Sequence, residues 1–175
     1  MHVRRIVTGV DTGGRSVFAD DGPPPRAHQF VHVPGQSSTL VWATGEASVP
    51  NAGDDRTPGL PSVVPGPGST VLVVVTLPPD SVYAAEDFDP QAAFAERDAI
   101  SPGLLEHFEE GSGFHATPTV DYVLMLEGEL WLVLDEGETA VRPGDIVVQN
   151  GTRHAWQNRS NAPATFAAVL VGASR

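Results

Sequence analysis

Three side chains in the last third of the sequence, His115, Asp121 and His154, are of the types that bind metal ions or move protons. Residues two positions apart in a strand face the same way, so Asp121 shares a face with Met125, and His154 shares a face with Trp156. If both faces line a barrel, an acid and an imidazole lie in an otherwise apolar cavity. An unpaired carboxylate there is costly and needs a cation, a proton or a hydrogen-bond donor. We therefore expect the three side chains to converge on one site.

Two imidazoles and one carboxylate suit iron(II), and the same atoms can hold zinc, manganese or nickel, because affinity alone does not choose among these metals. Three protein ligands leave positions open for water or substrate, which is a catalytic arrangement rather than a structural one. The sequence thus predicts a divalent transition metal bound by His115, Asp121 and His154. The alternative is that these polar residues satisfy one another in a barrel that binds no metal.

Thr117 and Gln149 are neutral hydrogen-bonding residues close to the predicted ligands. They are candidates for orienting the ligands or for holding a water molecule at a fourth position. A hydroxyl at the start of a strand and a turn residue would account for them equally well. Met125 and Trp156 are the predicted walls of the cavity.

Composition excludes several kinds of chemistry. The formal charge of -12, from 10 basic and 22 acidic residues, opposes nucleic acids and anionic membrane surfaces and leaves a small-molecule substrate or a protein partner. The chain has no cysteine and no lysine, so thiolate, Schiff-base and P-loop chemistry are ruled out. The first residues lack the apolar run of a secretory signal, and we expect a cytoplasmic protein.

Short β-rich segments separated by tight turns dominate the second half of the chain. Strands at this spacing predict an all-β sandwich or barrel. The predicted strands are 119–126, 130–134, 140–142, 146–149, 153–158 and 165–171.

The first half of the chain is less regular. A hairpin is predicted from strands 3–10 and 15–19, and further strands are predicted at 29–33, 40–43 and 70–77, the last buried on both faces. Proline and glycine make residues 45–68 a long loop. The only predicted helices are 90–100, capped by Asp89, and one or two turns within 102–110. Trp42 and Trp131 are predicted to lie in the core.

Two motifs in the predicted barrel resemble those of the cupin superfamily. The first is Gly113-x-His115-x-Thr117-x3-Asp121-x6-Gly128, and the second is Pro143-Gly144-Asp145 followed by Gln149-x-Gly151-x2-His154-x3-Asn158. The chain departs from the family pattern at Thr117, Asp121 and Gln149, where the family usually has histidine, glutamate and proline. The resemblance implies a single jelly-roll domain, with residues 1–68 as an N-terminal hairpin arm and loop and residues 69–175 as the barrel.

The resemblance also implies a function. We expect a metal-dependent enzyme that acts on a small, oxygenated, partly apolar molecule as a lyase, dehydratase, cyclase or isomerase, with His115, Asp121 and His154 as catalytic residues. One alternative is an iron-dependent dioxygenase that uses the same three residues. Another is a cupin that only binds a small molecule. Cupins commonly pair through their sheets, so the N-terminal hairpin predicts a homodimer.

Overall fold

The computed structural model describes residues 2–46 and 55–174. In this part of the chain, β-strands predominate and one α-helix, α1, spans Pro90–Ile100. Short 3-10 turns occupy Thr57–Gly59, Asp80–Ala84 and Leu105–His107. The strands are β1 (Arg5–Val10), β2 (Ser16–Gly22), β3 (Arg26–Gln29), β4 (Ser37–Thr44), β5 (Thr70–Leu77), β6 (Thr119–Glu127), β7 (Leu130–Val133), β8 (Glu138–Val141), β9 (Ile146–Gln149), β10 (Ala155–Gln157) and β11 (Ala164–Gly172).

Two sheets enclose the main core. The larger has the strand order β3-β4-β5-β11-β6-β9, and the smaller has the order β10-β7-β8. Buried apolar side chains from both sheets form one cluster, which includes Met125 and Phe166 from the larger sheet and Leu130 and Leu132 from the smaller. The predicted all-β fold is confirmed.

Strand β6 contributes both an acidic side chain and apolar side chains to the barrel interior. Its residues alternate between buried and exposed, as a strand with one face in the core must. Asp121 and Val123 point inward, whereas Tyr122 is 45% exposed on the outer face. Gly128 follows with a φ of 75°, and a Cβ there would lie 2.8 Å from the Cβ of Ala164. The tight turn into β7 therefore requires glycine at this position.

The barrel includes more of the first half of the chain than the sequence predicted. Strands β3 and β4 pair in series with β5, so the larger sheet begins inside the segment that we assigned to the arm and loop. The predicted strand at 29–33 is displaced to Arg26–Gln29, because Phe30 N–H donates to the Gln36 carbonyl and the chain reverses there. The predicted hairpin is present, and its two strands, β1 and β2, pair with each other. Residues 47–54 of the predicted loop lie outside the described residues.

Two tryptophans predicted in the core are instead half-buried beneath arginine side chains. The guanidinium of Arg5 lies 5.6 Å from the centre of the Trp42 ring, and that of Arg159 lies 4.5 Å from the Trp131 ring. The face of an indole ring attracts a cation, so one face of each tryptophan contacts an arginine guanidinium. Strand β5 is likewise only partly buried along most of its length, not buried on both faces.

Helix α1 begins where the sequence predicted. Asp89 accepts hydrogen bonds from the backbone N–H groups of Gln91 and Ala92, at 2.9 and 3.0 Å, and Pro90 occupies the first turn. The helix packs Ala93 against Phe30, in a second apolar cluster beside the barrel. Within the described part of the chain, no helix is long and apolar enough to cross a membrane.

Candidate functional site

His115 and His154 lie side by side although 38 residues separate them in the sequence. Each backbone N–H donates to the carbonyl of the other residue, at 2.9 and 3.0 Å, in a short antiparallel bridge. Because directly paired residues face the same way, the two imidazoles meet, with ring centres 4.2 Å apart. Phe108 stacks on the other face of His115, with ring centres 4.1 Å apart. The two motifs therefore converge on an imidazole pair.

Both imidazoles are held in the neutral form. Burial, and next the neighbouring His154, lower the pKa of His115 to about 4, since two adjacent positive charges repel. Burial also lowers the pKa of His154. The Nδ1–H of His154 donates to the carbonyl of Thr152 at 2.9 Å, and the Nδ1–H of His115 donates to that of Gly113 at 3.4 Å. Each Nε2 therefore carries a free lone pair at neutral pH.

Asp121 is the buried acid of the site. The residue is 8% exposed, and its Oδ1 atom has no hydrogen-bond partner among the described residues. Burial raises the pKa of Asp121, and a hydrogen bond from the Thr119 hydroxyl lowers it only in part. The raised pKa makes the protonated form of Asp121 easier to reach than that of an ordinary aspartate, and a protonated carboxyl group can donate a proton as well as accept a hydrogen bond.

Gln149 pairs with Asp121 along the sheet and hydrogen-bonds the turn before His154. Gln149 on β9 is the register partner of Asp121, so the two side chains lie on the same face of the sheet. The amide of Gln149 donates to the carbonyl of Thr152 at 3.2 Å and also to its hydroxyl. The same carbonyl accepts the Nδ1–H of His154. Gln149 therefore holds the turn whose carbonyl orients His154.

Thr119 was missed in the sequence analysis. Its hydroxyl hydrogen-bonds that of Thr117 at 2.7 Å, and both residues are buried on the Asp121 face. The two-residue spacing from Asp121 back to Thr119 and Thr117 was the signal that could have identified it. A ladder of hydroxyls thus leads from the acid toward the start of the strand.

Trp156 lies beside His154. Its indole meets the His154 imidazole edge to face, with ring centres 6.3 Å apart, and stacks on Phe166 at 5.6 Å. Met125 is 3% exposed and belongs to the main core cluster, together with Phe166. The imidazole pair therefore borders an apolar, aromatic interior.

The three predicted metal ligands do not assemble into one set. Among the described residues, no three His, Cys, Asp or Glu side chains form a group that could hold a metal ion. His115 and His154 meet, and both have the free Nε2 and the backbone-bound Nδ1–H that metal-binding histidines have. Asp121 does not join them. The residues present therefore do not fit a metal ion held by all three.

The second half of the chain matches a known family. Residues 104–171 match the family model described as the Cupin domain, and this segment contains both motifs. This match confirms the resemblance to the cupin superfamily that the motifs predicted.

Relatives with described names come from fungi. A cupin-domain-containing oxidoreductase of Neurospora crassa, srdD, is 44% identical over 161 residues, which cover 88% of this chain and 65% of the relative. A second, fogC of Aspergillus ruber, is 29% identical over 157 residues, which cover 89% of this chain and 64% of the relative. Phomopsin biosynthesis cluster protein D of Diaporthe leptostromiformis is 50% identical over 48 residues, covering 27% of this chain and 25% of the relative. The aligned part is less than two thirds of each relative's length.

A solved structure with a similar outline is a sugar phosphate isomerase of the cupin superfamily from Silicibacter pomeroyi. It is 20% identical, with 97% of this chain and 71% of that chain covered and a TM-score of 0.43. The likeness is too distant to carry an argument about function.

Proposed function

We propose that this protein is an enzyme that moves protons on a small, oxygenated, partly apolar molecule, as a dehydratase, lyase, cyclase or isomerase does. The observation that carries the proposal is the pairing of two neutral imidazoles beside an apolar interior that also holds a buried acid without a full set of partners. Buried titratable groups with shifted pKa values occur more often at functional sites than elsewhere.

The roles follow from the protonation states. A neutral histidine with a free Nε2 accepts a proton, so the His154 imidazole, oriented by the Thr152 carbonyl, is the proposed general base. A protonated carboxylic acid donates a proton, so Asp121 is the proposed general acid toward a leaving hydroxyl or a carbonyl oxygen. His115 raises the basicity of neither group; its ring packs the base in place and shields it from water.

The names of the relatives favour a second candidate. Two of them are described as cupin-domain-containing oxidoreductases, and redox chemistry requires a redox-active cofactor or metal ion. The free Nε2 atoms of His115 and His154 are two donors suited to iron, zinc, manganese or nickel. Metal analysis of protein purified without chelators separates the candidates, because proton transfer by side chains predicts no stoichiometric metal and the oxidoreductase predicts one redox-active metal per chain.

Solvent deuterium exchange tests the first candidate. The protein is incubated in D2O with a panel of small aryl and alkyl β-hydroxy ketones, and deuterium at the carbon between the two oxygenated carbons is followed by NMR. We expect exchange with the wild-type protein and a loss of about 10²-fold or more in His154→Ala, the usual contribution of a general base. His32→Ala, at an exposed histidine, is the matched control. Equal exchange by His154→Ala and wild type contradicts the proposed role of His154.

We infer that the protein pairs with a second copy of itself through the outer face of β6 and β9. Tyr122 and Leu124 on β6 pair with Val148 and Ile146 on β9, and all four are more than a third exposed. Strand β9 is also the edge of the larger sheet, which offers unpaired backbone groups to the same strand of another copy. Light scattering at micromolar concentration should give a dimer for the wild type and a monomer for Ile146→Glu. A wild-type monomer contradicts the inference.

The cytoplasmic location stays a prediction, as does the absence of nucleic-acid and membrane partners. Imaging of a fluorescent fusion and binding assays with duplex DNA and anionic vesicles are the corresponding measurements.

A further inference from the structure

A cavity of about 310 Å³ lies between the larger sheet and the end of helix α1. Strands β3, β4, β5 and β11 supply one side, and residues 99–104 supply the other. This volume is at the lower end of the range for small-molecule sites. Most of its wall is apolar, with side chains from Leu40, Val63, Val73, Val75, Leu104 and Leu170.

The polar part of the wall consists of Arg26, together with His28, Ser38 and Ser101. The Arg26 guanidinium donates to three backbone carbonyls, those of Thr57 at 3.4 Å, Leu60 at 3.1 Å and Ile100 at 3.0 Å. These carbonyls fix the orientation of the group without neutralising its charge. No carboxylate among the described residues pairs with it. An oriented guanidinium beside an apolar cavity is suited to an anionic ligand group.

Other arginines of the chain differ from Arg26 in this respect. Six of them form ion pairs with aspartate or glutamate at 2.6–2.8 Å, namely Arg4, Arg5, Arg15, Arg142, Arg153 and Arg159. Carboxylates are abundant, since the chain carries a formal charge of -12. A negative chain repels anions at long range, so binding an anion requires a local cation of this kind.

The cavity reaches the face that carries the proposed general acid. Leu170 lines the cavity and is the register partner of Asp121 in the pairing of β11 with β6. Directly paired residues on antiparallel strands have side chains on the same face, with Cα atoms about 5 Å apart. A ligand held at Arg26 with its body along Leu170 therefore extends toward Asp121.

We propose that this cavity binds a small organic acid, with the carboxylate on the Arg26 guanidinium and the apolar body along Leu40, Val73 and Leu170. As a statement about the substrate, this inference rests on the proton-transfer function proposed above. As a statement about a binding site, it stands on the cavity and the guanidinium alone. The competing explanation is that Arg26 only ties three carbonyls together.

Binding of a matched pair of probes distinguishes these explanations. The probes are 3-phenylpropanoate and 3-phenylpropan-1-ol, which differ chiefly in the anionic group, and affinity is measured by calorimetry at pH 7.5. We expect the acid to bind about tenfold or more tightly than the alcohol, as a charge-assisted contact implies. Arg26→Gln should remove this preference. Arg142→Gln, which alters an exposed arginine paired with Glu129, should keep it.

The second readout does not depend on the stability of a variant. Backbone amide shifts of the wild-type protein on addition of 3-phenylpropanoate should be largest at residues 26–28 and 99–104. Equal affinity for the acid and the alcohol, an unchanged preference in Arg26→Gln, or shifts confined to other segments would overturn the proposal.

The binding and exchange experiments also separate the two proposals. Acid binding at Arg26 without deuterium exchange leaves the cavity site in place and removes the proton-transfer function. Deuterium exchange on neutral ketones without preferential binding of the acid keeps the proton-transfer function and removes the acid-binding site at Arg26.

Discussion

Two carboxyl groups with little solvent exposure have pKa values shifted in opposite directions. Glu96, on α1, accepts hydrogen bonds at 2.8 Å from the backbone N–H groups of Val31 and His32 and shares one with the His28 ring. Burial raises its pKa, but these hydrogen bonds outweigh the burial and lower the pKa to about 2. Asp121, inside the barrel, has one unpartnered oxygen, and its pKa is raised by the same effect of burial.

The difference shows that several hydrogen-bond donors can outweigh burial in setting the pKa of a partly buried acid. The side chain of Glu96 is 12% exposed, and the Asp121 residue is 8% exposed. Glu96 is anchored by its donors and joins α1 to the chain after β3. Asp121 has the Thr119 hydroxyl as a donor, which lowers its pKa less than burial raises it. One acid is structural, and the other is available for chemistry.

Removing the charge of Glu96 should have the largest effect on stability. Glu96→Gln replaces a carboxylate that accepts three hydrogen bonds, and its new amide donor faces N–H groups. We expect the free energy of unfolding at pH 7 to fall by about 3 kcal/mol, the scale for breaking a hydrogen-bonded charge network. Urea unfolding measures it, with Glu86→Gln, at an exposed glutamate, as the control. A loss as small as that of the control would mean that Glu96 is not anchored as described.

Mild acid should lower the stability contribution of His115 but leave that of Glu96 nearly unchanged. Glu96 contributes stability above the ordinary glutamate pKa and loses it only as the pH falls toward about 2, so its contribution is nearly constant from pH 7 to 5. His115 has a pKa lowered to about 4, so below pH 6.5 the unfolded chain binds its proton first and stability falls.

Between pH 7 and 5, protonation of His115 in the unfolded chain should lower the free energy of unfolding by about 2 kcal/mol. His154 acts in the same direction. Chemical denaturation at both pH values measures it. His115→Gln should flatten the dependence relative to wild type. The same slope in the variant would show that His115 is not the titrating group.

Neutralising Asp121 should change stability less than neutralising Glu96. Asn is close in shape to the protonated acid that the raised pKa favours, so we expect Asp121→Asn to change the free energy of unfolding by no more than about 1 kcal/mol. Deuterium exchange should nevertheless fall about 10²-fold, because an amide does not donate a proton as an acid. Urea unfolding and the exchange assay are run on the same sample, and retained exchange argues against the acid role.

The smallest effect is spectroscopic. At pH 7, nitrogen-15 spectra of the histidine rings should show His115 and His154 as neutral rings with the proton on Nδ1, since each Nδ1 faces a backbone carbonyl. A positively charged His154 ring, or a neutral ring with its proton on Nε2, would contradict the proposed role of His154 as general base.

Local patterns predicted most of the barrel. Alternation along β6, the turn at Gly128 and the Asp89 cap depend on neighbouring residues, and each is found where it was expected. The displaced strand β3 and the half-buried tryptophans were not predictable in this way, because a chain reversal and arginines from distant segments decide them. The same holds for the Glu96 anchor, whose donors lie more than 60 residues away in the chain.

By itself, the sequence determined the superfamily, the strand pattern and the two motifs that carry the site. Only the tertiary structure decided which of the three candidate residues meet. His115 and His154 come together because their backbones pair directly, whereas Asp121 is set apart by its own pairing with Gln149 and Leu170. Spacing along a strand specifies a face, but the register between strands determines which side chains on that face share a point in space.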